Sequence, residues 1–182
     1  MIYNLITPAT ALPVSLVDVK EHLRITHSSH DDLITSIIWG ATRQFENRSN
    51  ECLSAQTWDL VLSEGEVLER IVFFKYPVSA ITSVSYYDSD NALQTTSDYV
   101  LFSNGKPASI RFDCDSDEVP TTYDRDDSMT IRFVCGYTTL PEDIKQAVLA
   151  KIFRLYENPG DPVSEKVSFF DKVVRDYRSY DL

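Results

Sequence analysis

The sequence is poor in the residues from which active sites are built. Glycine is scarce, five in 182 residues, and there is no GxGxxG and no P-loop to cradle a phosphate on backbone amides. No GxSxG elbow is present, and no Cys-His pairing can be assigned for nucleophilic catalysis. The three cysteines, Cys52, Cys114 and Cys135, are odd in number and far apart, with no CxxC pair. That pattern predicts reduced thiols rather than a disulfide framework, and it argues against a structural zinc site. No apolar run approaches the roughly 18 to 20 residues needed to span a bilayer. The first residues, "MIYNLITPATALPVSL", have no basic n-region, so no signal peptide is read there. Binding to nucleic-acid phosphates calls for a basic stripe, and none is visible. The chain reads as non-catalytic: no catalytic residues, no cofactor, no metal, no membrane.

What is present is acid and a core. The net charge is −11, and its distribution is uneven. Residues 81–128 hold ten acidic residues against three basic ones, a balance of −7, while residues 1–50 and 141–182 each come to −1. An apolar fraction of 43% with 12% aromatics argues against disorder, and the length suffices for one domain with a real core.

The pattern predicts an α+β fold in one compact structural unit: an N-terminal helical segment over 1–50, a β-rich module over 51–137, a helix over 138–158, then a hinge and arm over 159–182. In the first part, Ser15 with Asp18 three residues on resembles a capping box opening "LVDVKEHLRI". Asp31 and Asp32 then favour the start of a second helix. On it Leu33, Ile37, Ala41 and Phe45, with Ile34 and Ile38, recur at helical spacing, and Arg43, Glu46 and Arg48 face water. The middle part offers about six short strands of a small antiparallel sandwich or barrel-like sheet: "QTWDLVL", with Trp58, Leu60 and Leu62 on one face, "RIVFFKYP", "AITSVSYYD", "DYVLF", "SIRF" and "MTIRFVCGY". Asn104-Gly105 marks a hairpin. Pro141 opens the next helix, with a stripe of Ile144, Val148, Ile152 and Leu155 ended by the breakers "NPGDP".

Two clusters resemble metal sites, and each has a blander reading. His22, His27 and His30, with Asp31 and Asp32, straddle a helix end and a loop instead of sharing a helix face; they read as a solvated loop. "DCDSDEVPTTYD" echoes a calcium loop through Asp113, Asp115, Asp117 and Asp124, but Glu118 stands where the turn requires glycine. It reads as a solvated acidic loop, extended by Asp126 and Asp127. The C-terminal segment carries more signal. Phe169, Phe170, Val173, Val174 and Tyr177 form an aromatic amphipathic stripe that either folds onto its own core or docks in a partner's groove.

In order, "LVDVKEHLRI", "DDLITSIIWGA", "QTWDLVL", "YPVSAITSVSYYD", "GYTTLPEDIKQAVL" and "LYEN" resemble the head–tail connector, or adaptor, proteins of long-tailed bacteriophages. The resemblance covers about Pro13 to Asn158. Its points are Lys20, Leu23-Arg24, Asp32-Leu33, Ala41, Glu46, Gln56-Thr57-Trp58, Pro77-Val78, Gly136-Tyr137, Pro141 and Tyr156-Glu157-Asn158. The chain departs from the pattern at Asn50-Glu51 and in its C-terminal tail.

The resemblance implies a virion structural protein of the neck, made in the host bacterial cytoplasm and not an enzyme. Such proteins form a ring, commonly of twelve copies, beneath the portal. They extend the DNA channel and dock the next neck or tail component, a stopper or tail terminator. On this reading the C-terminal stripe is a portal-docking arm. Duplex DNA passes without specific binding, and Asp113, Asp115, Asp117, Glu118, Asp124, Asp126 and Asp127 line the channel or face a neighbouring ring. The alternative is a non-catalytic carbohydrate- or protein-binding β-module of a tail or baseplate. That role needs exposed aromatics on a β face, whereas Trp39 and Trp58 read as buried.

Overall fold

The structure, a computed structural model, describes residues 1–112, 119–159 and 167–178, and the chain alternates between two units. One comprises Met1–Ala9 with Ala55–Gly136; the other comprises Thr10–Ser54 with Tyr137–Leu182.

The first unit is made of antiparallel strands: β1 Ile2–Thr7, β2 Gln56–Leu62, β3 Arg70–Val72, β4 Val78–Tyr87, β5 Leu93–Thr96, β6 Tyr99–Phe102, β7 Ser109–Phe112 and β8 Met129–Cys135. They form a five-stranded sheet in the order β1-β2-β8-β4-β5 and a three-stranded sheet in the order β3-β7-β6. Period-two alternation drives the burial. In β8, Met129, Ile131, Phe133 and Cys135 point inward, joined by Leu60 and Leu62 from β2 and by Ile71, Phe73, Ile110 and Phe112. Opposite positions of β2 and β8 place Asp59 against Arg132, and the guanidinium donates two bonds to the carboxylate at 2.7 and 2.8 Å.

Six of these strands match the expected ones; β1 and β5 are additional. Both lie at sheet edges and bury little, so neither has the alternation that betrays a half-buried strand. β1 is held by its ladder to β2 and by Tyr3, whose hydroxyl accepts from the Phe74 amide at 3.0 Å and whose ring meets Phe133 edge-on. Trp58 is half-buried rather than enclosed, with the Lys75 ammonium 4.7 Å from its ring centre.

The second unit is helical: α1 Leu16–Leu23, α2 Asp31–Ser49, α3 Glu142–Glu157 and α4 Phe169–Tyr177. Ser15 caps α1 by accepting from the Asp18 amide at 3.0 Å. The reciprocal half of the expected box is replaced, since the Asp18 carboxylate pairs with Lys145 of α3. Helical spacing brings Ile34, Ile38, Ala41 and Phe45 of α2 against Ile144, Val148 and Ile152 of α3 in one core.

Three expectations for α2 need correction. Leu33 is exposed, because it lies off the Ile34-Ile38 stripe. Glu46 does not simply face water; its carboxylate accepts from the Leu53 amide at 2.9 Å and fixes the chain's exit from the helix. Trp39 is half-buried, again less enclosed than expected. Cys52 and Cys135 are both disulfide-bonded, which corrects the expectation of reduced thiols.

Candidate functional site

Helix α4 is tied down at both ends and along its inner face. Ser168 and Asp171 cap its start reciprocally: the Ser168 hydroxyl accepts from the Asp171 amide, and the Asp171 carboxylate accepts from the Ser168 amide. Arg48 of α2 donates to Asp171 at 2.6 Å. Burial alone would raise the Asp171 carboxyl, but the bonds from Ser168 and Arg48 more than offset it and hold the group at about 2. At the other end Tyr177 donates to Asp143 of α3 at 3.0 Å. Burial, then Asp143 and the nearby Glu51 charge, push the Tyr177 hydroxyl up to about 12.

Of the expected docking stripe, Phe170, Val173 and Val174 lie in the helical core. Phe170 meets Phe45 edge-on at 5.8 Å, and Tyr177 packs partly buried beside them. Phe169 points the other way and is 52% exposed, with Val167 before it at 63%. Among the described residues of the arm these two are its exposed large apolar side chains, and Val167 also lines a 570 Å³ hollow with Asn47 and Arg48 of α2 and Arg175 of α4.

The acidic set divides. Asp113, Asp115, Asp117 and Glu118 lie outside the described residues. Asp124 and Asp126 are exposed, and Asp127 pairs with Arg125. Arg125 lies 3.7 Å over the Tyr87 ring and donates to Asn91 at 3.0 Å. It thereby ties this segment to the β4–β5 turn. That turn is built around Asp88, whose carboxylate accepts from the Asp90 and Ala92 amides and from the Gln94 side chain. Those bonds lower its pKa, the Ala92 amide most.

The rings of His27 and His30 meet edge-on at 4.9 Å, and each histidine has another partner. His27 accepts or donates through Nδ1 to Ser29, His30 does the same to Tyr156, and His22 packs against Phe153. Among the described residues no group of three or more His, Cys, Asp or Glu side chains is placed to hold an ion.

One surface was not anticipated from the sequence. The outer face of the three-stranded sheet sets Arg70, Arg111 and Val100 in one cross-strand row. Beside it lies a 670 Å³ hollow walled by Phe102 and the Asn104-Gly105 loop. Phe102 and Val100 are each 48% exposed. The signal was there in the alternation of "SIRF": with Ile110 and Phe112 inward, Arg111 must face out.

Comparisons with known proteins fit this picture. The solved structure of the neck of an empty GTA particle computed with C6 symmetry contains a chain 18% identical to this one. The two superpose with a TM-score of 0.83 over 100% of this chain and 97% of that one. A chain in the neck of the native GTA particle computed with C12 symmetry gives a TM-score of 0.79 at 19% identity, over 100% of this chain and 97% of that one. A chain in the virion of the native gene transfer agent particle gives 0.79 at 16%, with the same coverage. At these identities the likeness is one of fold. No curated protein matches. The family model that matches is that of the phage gp6-like head-tail connector protein, over residues 13–112. That span runs from the start of the helical unit through β7, more than half of the sequence, and the chain belongs to the phage gp6-like head-tail connector family.

Proposed function

We propose that copies of this chain form a ring in the virion neck, under the portal, that extends the DNA passage and docks the next neck or tail component. The observation that carries this reading is the family match over residues 13–112. The necks in which similar chains occur were computed with C6 and C12 symmetry, in keeping with a closed ring, and we take twelve copies as the expected number. The chain performs no chemistry in this role; its work is shape and interface specificity. A subunit at −11 suits a passage for DNA, because each basic contact to phosphate adds a counterion-release term that makes the duplex stick.

The C-terminal arm is proposed to meet the portal, in a form its packing allows. Phe169 and Val167 are available without disturbing the core, whereas Phe170, Val173 and Val174 would have to leave it. Phe169→Ser with Val167→Ser should leave a folded protein that no longer stays on purified portal-bearing heads. Retention equal to the unchanged chain refutes the docking role. The wider reading is tested by removing the gene. DNA-filled heads separate from finished tails are expected, and particles with intact necks contradict it.

A further inference from the structure

Resting on the ring reading above, we propose that the outer face of α2 packs against the outer face of α3 of the next copy, with these helices standing along the ring axis. Within one copy the two helices run antiparallel. His30 at the start of α2 meets Tyr156 near the end of α3 at 2.6 Å. Glu51, just past the end of α2, accepts from Tyr137, ahead of α3, at 2.6 Å. These two contacts fix which residues stand level: Leu33 with Phe153, Ser36 with Ala150, Gly40 with Gln146, and Arg43 with Asp143. Helical periodicity puts each set of four on one stripe, and both stripes are exposed. They turn away from the core that holds Ile34 and Ile38 of one helix and Val148 and Ile152 of the other. The stripes therefore cannot meet within one copy. Copies related by rotation about an axis parallel to the helices stay level, and that brings the four pairs together.

The level pairs match in kind, which is why the occupant is a second copy. At one end apolar meets apolar: Leu33 is 52% exposed and Phe153 48%. At the other, the Arg43 guanidinium meets the exposed acids Glu142 and Asp143 that open α3. Lys145 beside them is already occupied by Asp18 at 3.1 Å. Between the ends stand Ser36 over Ala150 and Gly40 over Gln146, and Gly40 is the residue that asks for a partner. It lies mid-helix, where glycine costs about 1 kcal/mol relative to alanine. A Cβ built there would meet no atom within 4 Å, so among the described residues nothing crowds the position. A second helix packed at roughly 8 to 10 Å between axes would, because that spacing is set by the side chains at the contact. The two stripes differ, so the contact is heterologous, and a heterologous contact whose rotation closes makes a ring. The necks that hold chains of this fold were computed with C6 and C12 symmetry.

The test uses the full chain assembled on purified portal-bearing heads, with closed rings counted by electron microscopy. A photo-crosslinking amino acid replaces Leu33 in isotope-labelled protein mixed with unlabelled protein, so that links between copies are told from links within one. Links from position 33 to residues 149–157 of another copy are expected. Gly40→Trp should leave the melting temperature equal or higher, since glycine is the poorer helix former, yet reduce ring formation about tenfold or more by blocking the close approach. Arg43→Glu alone and Glu142→Arg alone should each reduce it about as much. A mixture of those two chains should regain rings, because every altered stripe then faces a complementary one, an outcome that misfolding cannot produce. Links to another segment or another protein, a Gly40→Trp chain that forms rings as before, or a mixture that stays without them overturns the helix contact. Rings of the unchanged chain without these links sink that contact alone; heads without any ring of it sink the ring reading as well.

Discussion

The helical unit and the β unit handle apolar surface and charge differently. The helical unit gathers its stripes into one core, closes it with α4 and ties that helix by the Arg48–Asp171 and Tyr177–Asp143 contacts. The β unit leaves apolar side chains on its edges, with Ile2, Leu5 and Ile6 on β1, Leu93 on β5, and Val100 and Phe102 on β6. It also carries fourteen acidic residues against six basic ones, so −8 of the chain's −11. The helical unit exposes single apolar side chains such as Val17, Phe153 and Phe169 around a shared core, whereas the β unit exposes them along its strand edges together with most of the charge.

The largest effects should come from cutting into either core. Phe45→Ala and Phe133→Ala each remove a fully buried ring and should each cost about 3–5 kcal/mol of stability, read by urea or thermal unfolding. A cost below about 1 kcal/mol for either would mean that its unit is loosely packed. Asp59→Ala comes next. It strands Arg132, whose pKa is raised chiefly by its hydrogen bond to Asp59. Because Arg132 keeps 43% of its side-chain surface in water, the expected cost is about 1–2 kcal/mol.

The tie on α4 gives a pH signature. The Asp171 carboxyl lies at about 2 in the folded chain against an ordinary 3.8. Its contribution is therefore complete above pH 4 and is lost as pH falls from 4 towards 2. After discounting for solvent, it amounts to about 1 kcal/mol. Asp171→Asn should remove that acid dependence, and an unchanged acid limb in the variant would locate it elsewhere. Tyr177 works at the other extreme: its raised pKa of about 12 stabilises below pH 10 and is lost as pH rises through 12. The smallest effect sharpens the contrast between the units. Phe102→Ser should change stability by less than about 0.5 kcal/mol, because the ring stands half in solvent.

Much of the fold was legible in the sequence, for reasons that can be named. Four helices followed from stripes such as Ile34-Ile38-Ala41-Phe45 and Ile144-Val148-Ile152 with their start signals, and six strands followed from alternation. β1 and β5 were not legible, because their side chains bury little and are held by backbone pairing, unlike edge strand β6, whose side chains alternate. The side chains of α4 illustrate a different limit. Spacing identified the Phe170-Val173-Val174 stripe, but spacing does not say whether the groove that receives it belongs to the same chain. The Arg70–Arg111 row was hidden because it depends on register between β3 and β7, which lie far apart in sequence. The disulfide-bonded state of Cys52 and Cys135 was not legible either, because cysteine count and spacing carry no information on pairing.

The most direct measurement is electron cryo-microscopy of isolated necks, reconstructed without imposed symmetry. A closed ring of copies of this chain at the junction of head and tail is the predicted result. Necks complete in every other respect but lacking this polypeptide, or holding it as isolated single copies, would contradict the account.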